Sequence, residues 1–128
     1  MLDAPYHYIV RFWVAPAAEA RLLAWLDGGH TAEVVAQPGF LWAQRVRLEE
    51  TDALGWRAFC SIYGLESKAA LEAYFKNPIR EKFVREQAAF ADVMRAERSW
   101  GAGECRRSAK GPSDAREASD ADEALKIA

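Results

Sequence analysis

The stretch from Tyr6 to Val14 reads YHYIVRFWV, and it constrains the fold more than any other part of the sequence. Every second residue of this stretch is large and apolar: Tyr6, Tyr8, Val10, Phe12 and Val14. Successive side chains of a β-strand point to opposite faces of a sheet, and aromatic and β-branched residues are favoured in strands. The stretch therefore predicts a strand with one apolar face. Ile9 and Trp13 make the other face partly apolar as well.

The hydrophobic spacing of the remaining chain predicts five further elements. They are a helix over 17–36, strands over 40–50 and 54–66, a helix over 67–75 that resumes over 79–89 after Asn77-Pro78, and a strand over 91–100. Gly28 and Gly29 lie inside the first helix and predict a kink or a close approach by another element. With right-handed crossovers, this order predicts an α+β fold of the ferredoxin-like β-α-β-β-α-β type. It is a four-stranded antiparallel sheet with both helices on one face.

The composition of the chain changes after Trp100. All 5 tryptophans, 4 tyrosines and 6 phenylalanines of the 128 residues lie at or before that position. The segment that follows is rich in small and charged residues, and it cannot bury enough apolar surface to offset its conformational entropy. We therefore predict a folded domain over residues 4–100 and a mostly disordered polar tail over residues 101–128.

Composition also excludes several classes of partner. The formal net charge of −2 argues against nucleic acid, which is bound through clustered cations. No stretch is apolar enough to span a membrane, and no signal peptide is recognisable. Only 2 cysteines are present, which is typical of a cytoplasmic protein. The sequence has no phosphate-binding loop, dinucleotide fingerprint or metal-ligand cluster, so neither a cofactor nor a metal is expected.

Apolar residues are expected on both faces of the predicted sheet. The helices cover one face, and alternation assigns a mixed set to the other: Ile9, Trp13, Leu41, Ala43, Phe59, Tyr63 and Leu65, interleaved with His7, Arg11, Arg45 and Arg47. An apolar patch of that extent marks an interaction surface. Two such sheets packed face to face around a two-fold axis would cover it. The sequence therefore predicts a homodimer joined through its sheets.

His30 is the main candidate for chemistry. It lies on the same stripe of the predicted helix as Leu26 and Val34, so its side chain should face the sheet. An imidazole that titrates near neutrality in an apolar cleft can act as a general base or orient a ligand. Glu33 follows three residues later, where it can orient the imidazole, so His30 and Glu33 form the predicted catalytic pair. The alternative is a buried histidine with a purely structural role.

Four aromatic residues are predicted to face the helices and to line a flat pocket for an aromatic ligand. They are Tyr6, Tyr8, Trp42 and Trp56. The alternative is a core that these rings fill completely. A cavity of about 300 Å³ or more beside His30 would favour an enzyme, whereas a filled core would favour a module without catalysis.

Four motifs lie along residues 8–98: Trp25-Leu26 leading to His30, Pro38-Gly39-Phe40, Tyr63-Gly64-Leu65-Glu66-Ser67, and Arg95-Ala96-Glu97-Arg98. In these motifs the chain resembles an uncharacterised bacterial family, a domain of unknown function within the dimeric α+β barrel superfamily. It is distantly similar to antibiotic-biosynthesis monooxygenases and polyketide-type cyclases. The resemblance implies a dimer with a ligand cavity between sheet and helices, and no particular reaction.

Two functions remain open at this point. The first is a homodimer that binds a small apolar or aromatic molecule and acts through His30 as a cofactor-free monooxygenase or a cyclase/isomerase-type enzyme. The second is a non-catalytic dimerisation or ligand-sensing module, in which the same residues only pack.

Overall fold

The computed structural model describes residues 3–109. Its elements in chain order are β1 (Tyr6–Val14), α1 (Pro16–Trp25), a π-helical turn (Leu26–His30), α2 (Thr31–Val35), β2 (Phe40–Thr51), β3 (Arg57–Leu65), α3 (Lys68–Lys76), α4 (Ile79–Gln87), a 3-10 turn (Ala88–Phe90) and β4 (Met94–Ala102). The strands form one antiparallel sheet in the order β2-β3-β1-β4. The predicted ferredoxin-like α+β fold is confirmed.

Local sequence signals account for the ends and breaks of the helices. The Ser67 hydroxyl accepts a hydrogen bond from the Ala70 N–H at 3.1 Å and so caps α3. Asn77 has an extended backbone before Pro78, which separates α3 from α4. Gly29 has a φ of 150°, a conformation that residues with a side chain rarely adopt. The predicted long first helix is therefore kinked at its second glycine, as the sequence indicated.

The core lies between the helices and one face of β1. Tyr8 is paired with Tyr63 of β3, and Phe12 is paired with Phe59 of the same strand. Residues directly opposite each other in an antiparallel pair share a face of the sheet, so these rings form a single layer. The helices cover this layer with buried side chains such as Leu22, Val34, Leu71, Tyr74 and Phe83.

The predicted position of Trp42 on the helix-facing side is wrong. The pairing of β2 with β3 shifts between Phe40 and Trp42, and such a shift transfers the following side chains to the opposite face. Phe40 stays in the core, whereas Trp42 packs edge-on against His7 with ring centroids 5.8 Å apart. Trp42 therefore belongs to the face of the sheet that the helices leave open, which we call the open face.

The same shift corrects the predicted positions of two arginines. Arg45 and Arg47 lie on the helix-facing side, where they pair with carboxylates of the first helical segment. The Nη1 atom of Arg45 lies 2.9 Å from Oδ1 of Asp27, and Nη1 of Arg47 lies 3.1 Å from Oε2 of Glu19. These arginines cover the helix side of β2 and leave the open face to other residues.

The open face also has fewer large side chains than predicted. Four residues expected there lie instead on the helix side: Ala43, Phe59, Tyr63 and Leu65. Trp13 is on the open face but only 8% exposed, because the guanidinium groups of Arg11 and Arg95 lie 5.2 Å and 4.1 Å from its ring centroid. The apolar residues that remain partly accessible on this face are Ile9, Trp42, Val46, Cys60 and Ile62.

The predicted tail begins inside β4, because Gly101 and Ala102 continue the pairing with β1. Residues 103–109 form no helix or strand. Residues 110–128 of the predicted tail lie outside the described residues, so its disorder stays a prediction. No helix within residues 3–109 is long and apolar enough to cross a membrane.

Candidate functional site

A cavity of about 70 Å³ lies between the helix-facing side of the sheet and the helices. Aromatic rings form a large part of its lining, which includes Tyr8, Trp25, His30, Tyr63, Tyr74 and Phe83. Pockets for small molecules usually measure about 300–1,000 Å³. The cavity therefore falls short of the size that was expected to favour an enzyme.

Packed rings explain the small volume. Tyr8 stacks on Tyr63 at a centroid distance of 5.8 Å, and Tyr74 lies 6.5 Å from Tyr8. Burial raises the pKa of Tyr63 and of Tyr74 above the usual value, so both hydroxyls stay protonated at neutral pH. The interior of the cavity is thus a layer of uncharged rings.

His30 is part of this aromatic lining. Its ring stacks on Trp25 at a centroid distance of 4.0 Å and meets the edge of Phe83 at 4.7 Å. Burial, opposed by the charges of Glu86 and Glu33, lowers the pKa of His30 to about 4. The imidazole is therefore neutral at pH 7. Its Nδ1 atom is buried and has no hydrogen-bond partner among the described residues.

Glu33 does not orient the imidazole in the predicted way. Its Oε2 atom accepts a hydrogen bond from the Lys82 Nζ at 2.6 Å, and nothing within residues 3–109 joins it to His30 by a hydrogen bond. Glu86 contacts a neighbour of the histidine instead, since its Oε2 accepts the indole N–H of Trp25 at 3.1 Å. Because His30 stacks on Trp25, this hydrogen bond fixes the surface against which the imidazole lies.

Only one of the four aromatic residues predicted to line the pocket does so. Tyr8 lines the cavity, whereas Tyr6 is buried in the core outside the cavity lining. Trp42 lies on the open face. Trp56 lies in the β2–β3 hairpin, where its backbone N–H donates to Asp52 Oδ1 at 2.9 Å. Sequence reasoning missed Trp25, Tyr63, Tyr74 and Phe83. Tyr63 could be placed in the cavity only from its pairing opposite Tyr8, and that pairing is known only once the register of the strands is known.

Within residues 3–109, no three His, Cys, Asp or Glu side chains lie close enough together to hold a metal ion.

Sequence comparison assigns the chain to a family. Residues 6–99 match the family described as "Domain of unknown function (DUF4286)". The chain belongs to the DUF4286 family. Comparison with curated proteins gives no match for this DUF4286 protein. The predicted resemblance to a domain of unknown function with the ferredoxin-like fold is confirmed.

Solved structures with similar folds include two oxygenases. SnoaB, a cofactor-independent oxygenase from Streptomyces nogalater, is 19% identical with a TM-score of 0.58, over 85% of this chain and 100% of that one. The ActVA-Orf6 monooxygenase from Streptomyces coelicolor, in complex with Nanaomycin D, is 22% identical with a TM-score of 0.54, over 82% and 94%. A dimeric ferredoxin-like protein from an uncultured marine organism is 9% identical with a TM-score of 0.62, over 81% and 99%. Identities this low establish the fold alone.

The low pKa of His30 makes the stability of the fold depend on pH. The fold keeps His30 neutral, whereas the unfolded chain takes up a proton as the pH falls through 6.5. The contribution of the neutral imidazole to the free energy of unfolding is therefore complete above pH 6.5. It is lost progressively as the pH falls towards 4. Between pH 7.5 and 5.0, we expect the free energy of unfolding of the wild type to fall by about 1–2 kcal/mol more than that of His30→Phe. Urea denaturation at the two pH values measures this difference.

Phenylalanine keeps a ring against Trp25 while it removes the titrating group. All other titratable groups are the same in the two proteins, so they affect the stability of both equally. An identical loss of stability in both proteins would contradict a neutral, buried imidazole.

Proposed function

We propose that this DUF4286 protein binds a small aromatic molecule that carries a hydroxyl or N–H group, in the cavity beside His30. One observation carries the proposal: His30 lines the cavity, and its buried Nδ1 atom has no hydrogen-bond partner within residues 3–109. A buried polar atom left unpaired costs about 1–3 kcal/mol. A ligand hydroxyl can donate or accept a hydrogen bond, so it pairs with either tautomer of the imidazole.

The dimensions of the cavity restrict what enters it. A cavity of about 70 Å³ admits only a small part of a ligand, on the order of one ring. Entry of more than one ring requires the rim to move, and the rim residue Val84 is 61% exposed on α4. The proposal therefore favours a ligand with a single ring at the buried end over one that buries several fused rings.

Cofactor-independent monooxygenation is the second candidate, and the likeness in fold to SnoaB and ActVA-Orf6 favours it. In this chemistry an activated phenol supplies electrons to O₂. For 1-naphthol, the balanced reaction gives 1,4-naphthoquinone and water. A base with a pKa of about 4 takes a proton from a phenol of pKa about 10 at a cost of roughly 8 kcal/mol.

A cyclase or isomerase that uses His30 as its base is limited in the same way, because an imidazole with a low pKa is a weak base. We therefore rank ligand binding without chemistry, the function of a ligand-sensing module, ahead of both enzymatic functions. In this role His30 orients the ligand by a hydrogen bond and transfers no proton.

We also propose that the protein is a cytoplasmic homodimer joined through the open faces of its sheets. The partly accessible apolar residues of that face support a second copy as the occupant, because the same patch on two chains is self-complementary around a two-fold axis. The marine protein of similar fold is itself described as dimeric. Cys60 and Cys105 are both free, as is usual in a reducing compartment.

Phenol and toluene test the role of His30, because they have nearly the same shape and differ in the hydroxyl group. We expect the wild type to bind phenol about fivefold more tightly than toluene, the ratio that one net hydrogen bond of about 1 kcal/mol supplies. In His30→Phe the ratio should fall to about 1, since phenylalanine has no polar atom. Isothermal titration calorimetry measures both affinities.

The matched control is His7→Phe, which changes a histidine on the open face and should keep the preference for phenol. Equal binding of the two compounds by the wild type, or binding of neither, would refute the proposal. Oxygen uptake with 1-naphthol that the His30→Phe variant lacks would favour the monooxygenase instead.

The dimer is tested by placing a charge at the centre of the open face. Ile62 lies on β3 opposite Ile9 of β1, so Ile62→Arg would bury a charge in the proposed interface. We expect the wild type to sediment with twice the chain mass of 14.3 kDa and Ile62→Arg to sediment as a single chain.

The control for this experiment is Leu54→Arg, which changes a residue that is 71% exposed in the β2–β3 hairpin. It should leave the dimer intact. A wild-type protein that sediments as a single chain at micromolar concentration would exclude the proposed interface.

A further inference from the structure

The charged residues that line the cavity all have the same sign. Arg80 extends from α4 and Arg98 from β4, and no acidic residue among the described residues lines the cavity with them. The cavity thus combines an uncharged aromatic interior with two guanidinium groups.

Neither guanidinium group has a carboxylate partner within residues 3–109, whereas every strand arginine there other than Arg98 has one. Those arginines pair with carboxylates as follows: Arg11 with Glu50, Arg45 with Asp27, Arg47 and Arg57 with Glu19, and Arg95 with Asp52. Arg98 donates instead to the Gln87 amide oxygen at 3.3 Å. Arg80 lies over the rings of Phe75 and Tyr74, at 4.7 Å and 5.6 Å from their centroids. Neither arginine forms an ion pair within residues 3–109.

Both arginines line the boundary between the cavity and an outer groove of about 370 Å³, which lies between α4 and β4. The residues shared by the cavity and the groove are Arg80, Val84, Gln87, Met94 and Arg98. The far part of the groove is apolar, with Phe90 and Ala96 in its lining. A ligand whose ring enters the cavity therefore has its outer end beside the two arginines.

We propose, on the basis of the proposed function, that the ligand is an aromatic carboxylate whose ring occupies the cavity and whose carboxylate binds Arg80 and Arg98 at its mouth. A guanidinium group presents a planar fork of N–H donors that matches a carboxylate. Rings lie beside the Arg80 guanidinium, and partial burial strengthens its attraction to an anion. The stacking of Arg80 on Phe75 and Tyr74 holds one of the two forks in place before the ligand binds.

The test compares 4-hydroxybenzoate with its neutral analogue 4-hydroxybenzamide by isothermal titration calorimetry at pH 7.5. We expect the wild type to bind the carboxylate at least about tenfold more tightly, because a hydrogen bond to a charged group is stronger than one to a neutral group. Raising the salt concentration should reduce this preference and leave the affinity for the amide unchanged.

Arg80→Gln and Arg98→Gln should each reduce the preference to less than about threefold, again without loss of affinity for the amide. Arg85→Gln is the matched control, since Arg85 is an exposed arginine of the same helix that does not line the cavity. It should keep the tenfold preference. Circular dichroism verifies that each variant is folded, and the comparison of the two ligands on the wild type needs no variant.

The outcomes separate this inference from the proposed function. If phenol and both hydroxybenzoyl compounds bind the wild type with no preference for the carboxylate, the anion site is excluded and ligand binding beside His30 stands. If none of the aromatic compounds binds, both proposals fail. If inorganic phosphate binds as tightly as 4-hydroxybenzoate, the arginines form a general anion site and the aromatic carboxylate is ruled out.

Discussion

The packing of the helix-facing side of β1 is the constraint on which the rest of the structure depends. β1 lies between β3 and β4, so each side chain on that face has a cross-strand neighbour on both sides: Tyr8 lies between Tyr63 and Trp100, and Phe12 between Phe59 and Ala96. This ring layer needs the helices as a cover, which produces the two-layer fold. It also supplies the walls of the cavity. Core stability and the proposed ligand binding therefore depend on the same side chains, and substitutions that enlarge the cavity also remove buried apolar surface.

His30 reaches this layer through an irregular helix and an external polar network. The π-helical turn and the φ of 150° at Gly29 shape the chain just before the histidine. On the outside, Lys82 contacts both Glu33 and Glu86, at 2.6 Å and 3.7 Å. Glu86 in turn holds Trp25, on which the imidazole stacks. Charged groups at the surface thus position an uncharged group in the interior, and none of them adds a charge to the lining of the cavity.

The sequence predicted the fold more fully than the site, for physical reasons. Periodicity, the Ser67 cap and the Asn77-Pro78 break depend on neighbouring residues, so they are visible in one sequence. The positions of Trp42 and Tyr63 depend on strand pairing. Residues 40–43 are all apolar, so alternation there does not reveal the shift in register. Likewise, Glu86 comes close to Trp25 only through the packing of α4 on α1, across 61 residues of sequence.

The small size of the cavity limits the binding energy that apolar contacts can supply to the proposed ligand. Burying about 100 Å² of ring surface contributes roughly 2–3 kcal/mol to the free energy of binding. By itself this gives a dissociation constant above about 1 mM. Apolar burial therefore supplies only a small share of the binding energy. For the proposed ligand, the larger share has to come from polar groups in fixed positions. Within the described residues these are His30, which lines the cavity and has an unpaired Nδ1 atom, and two guanidinium groups without carboxylate partners.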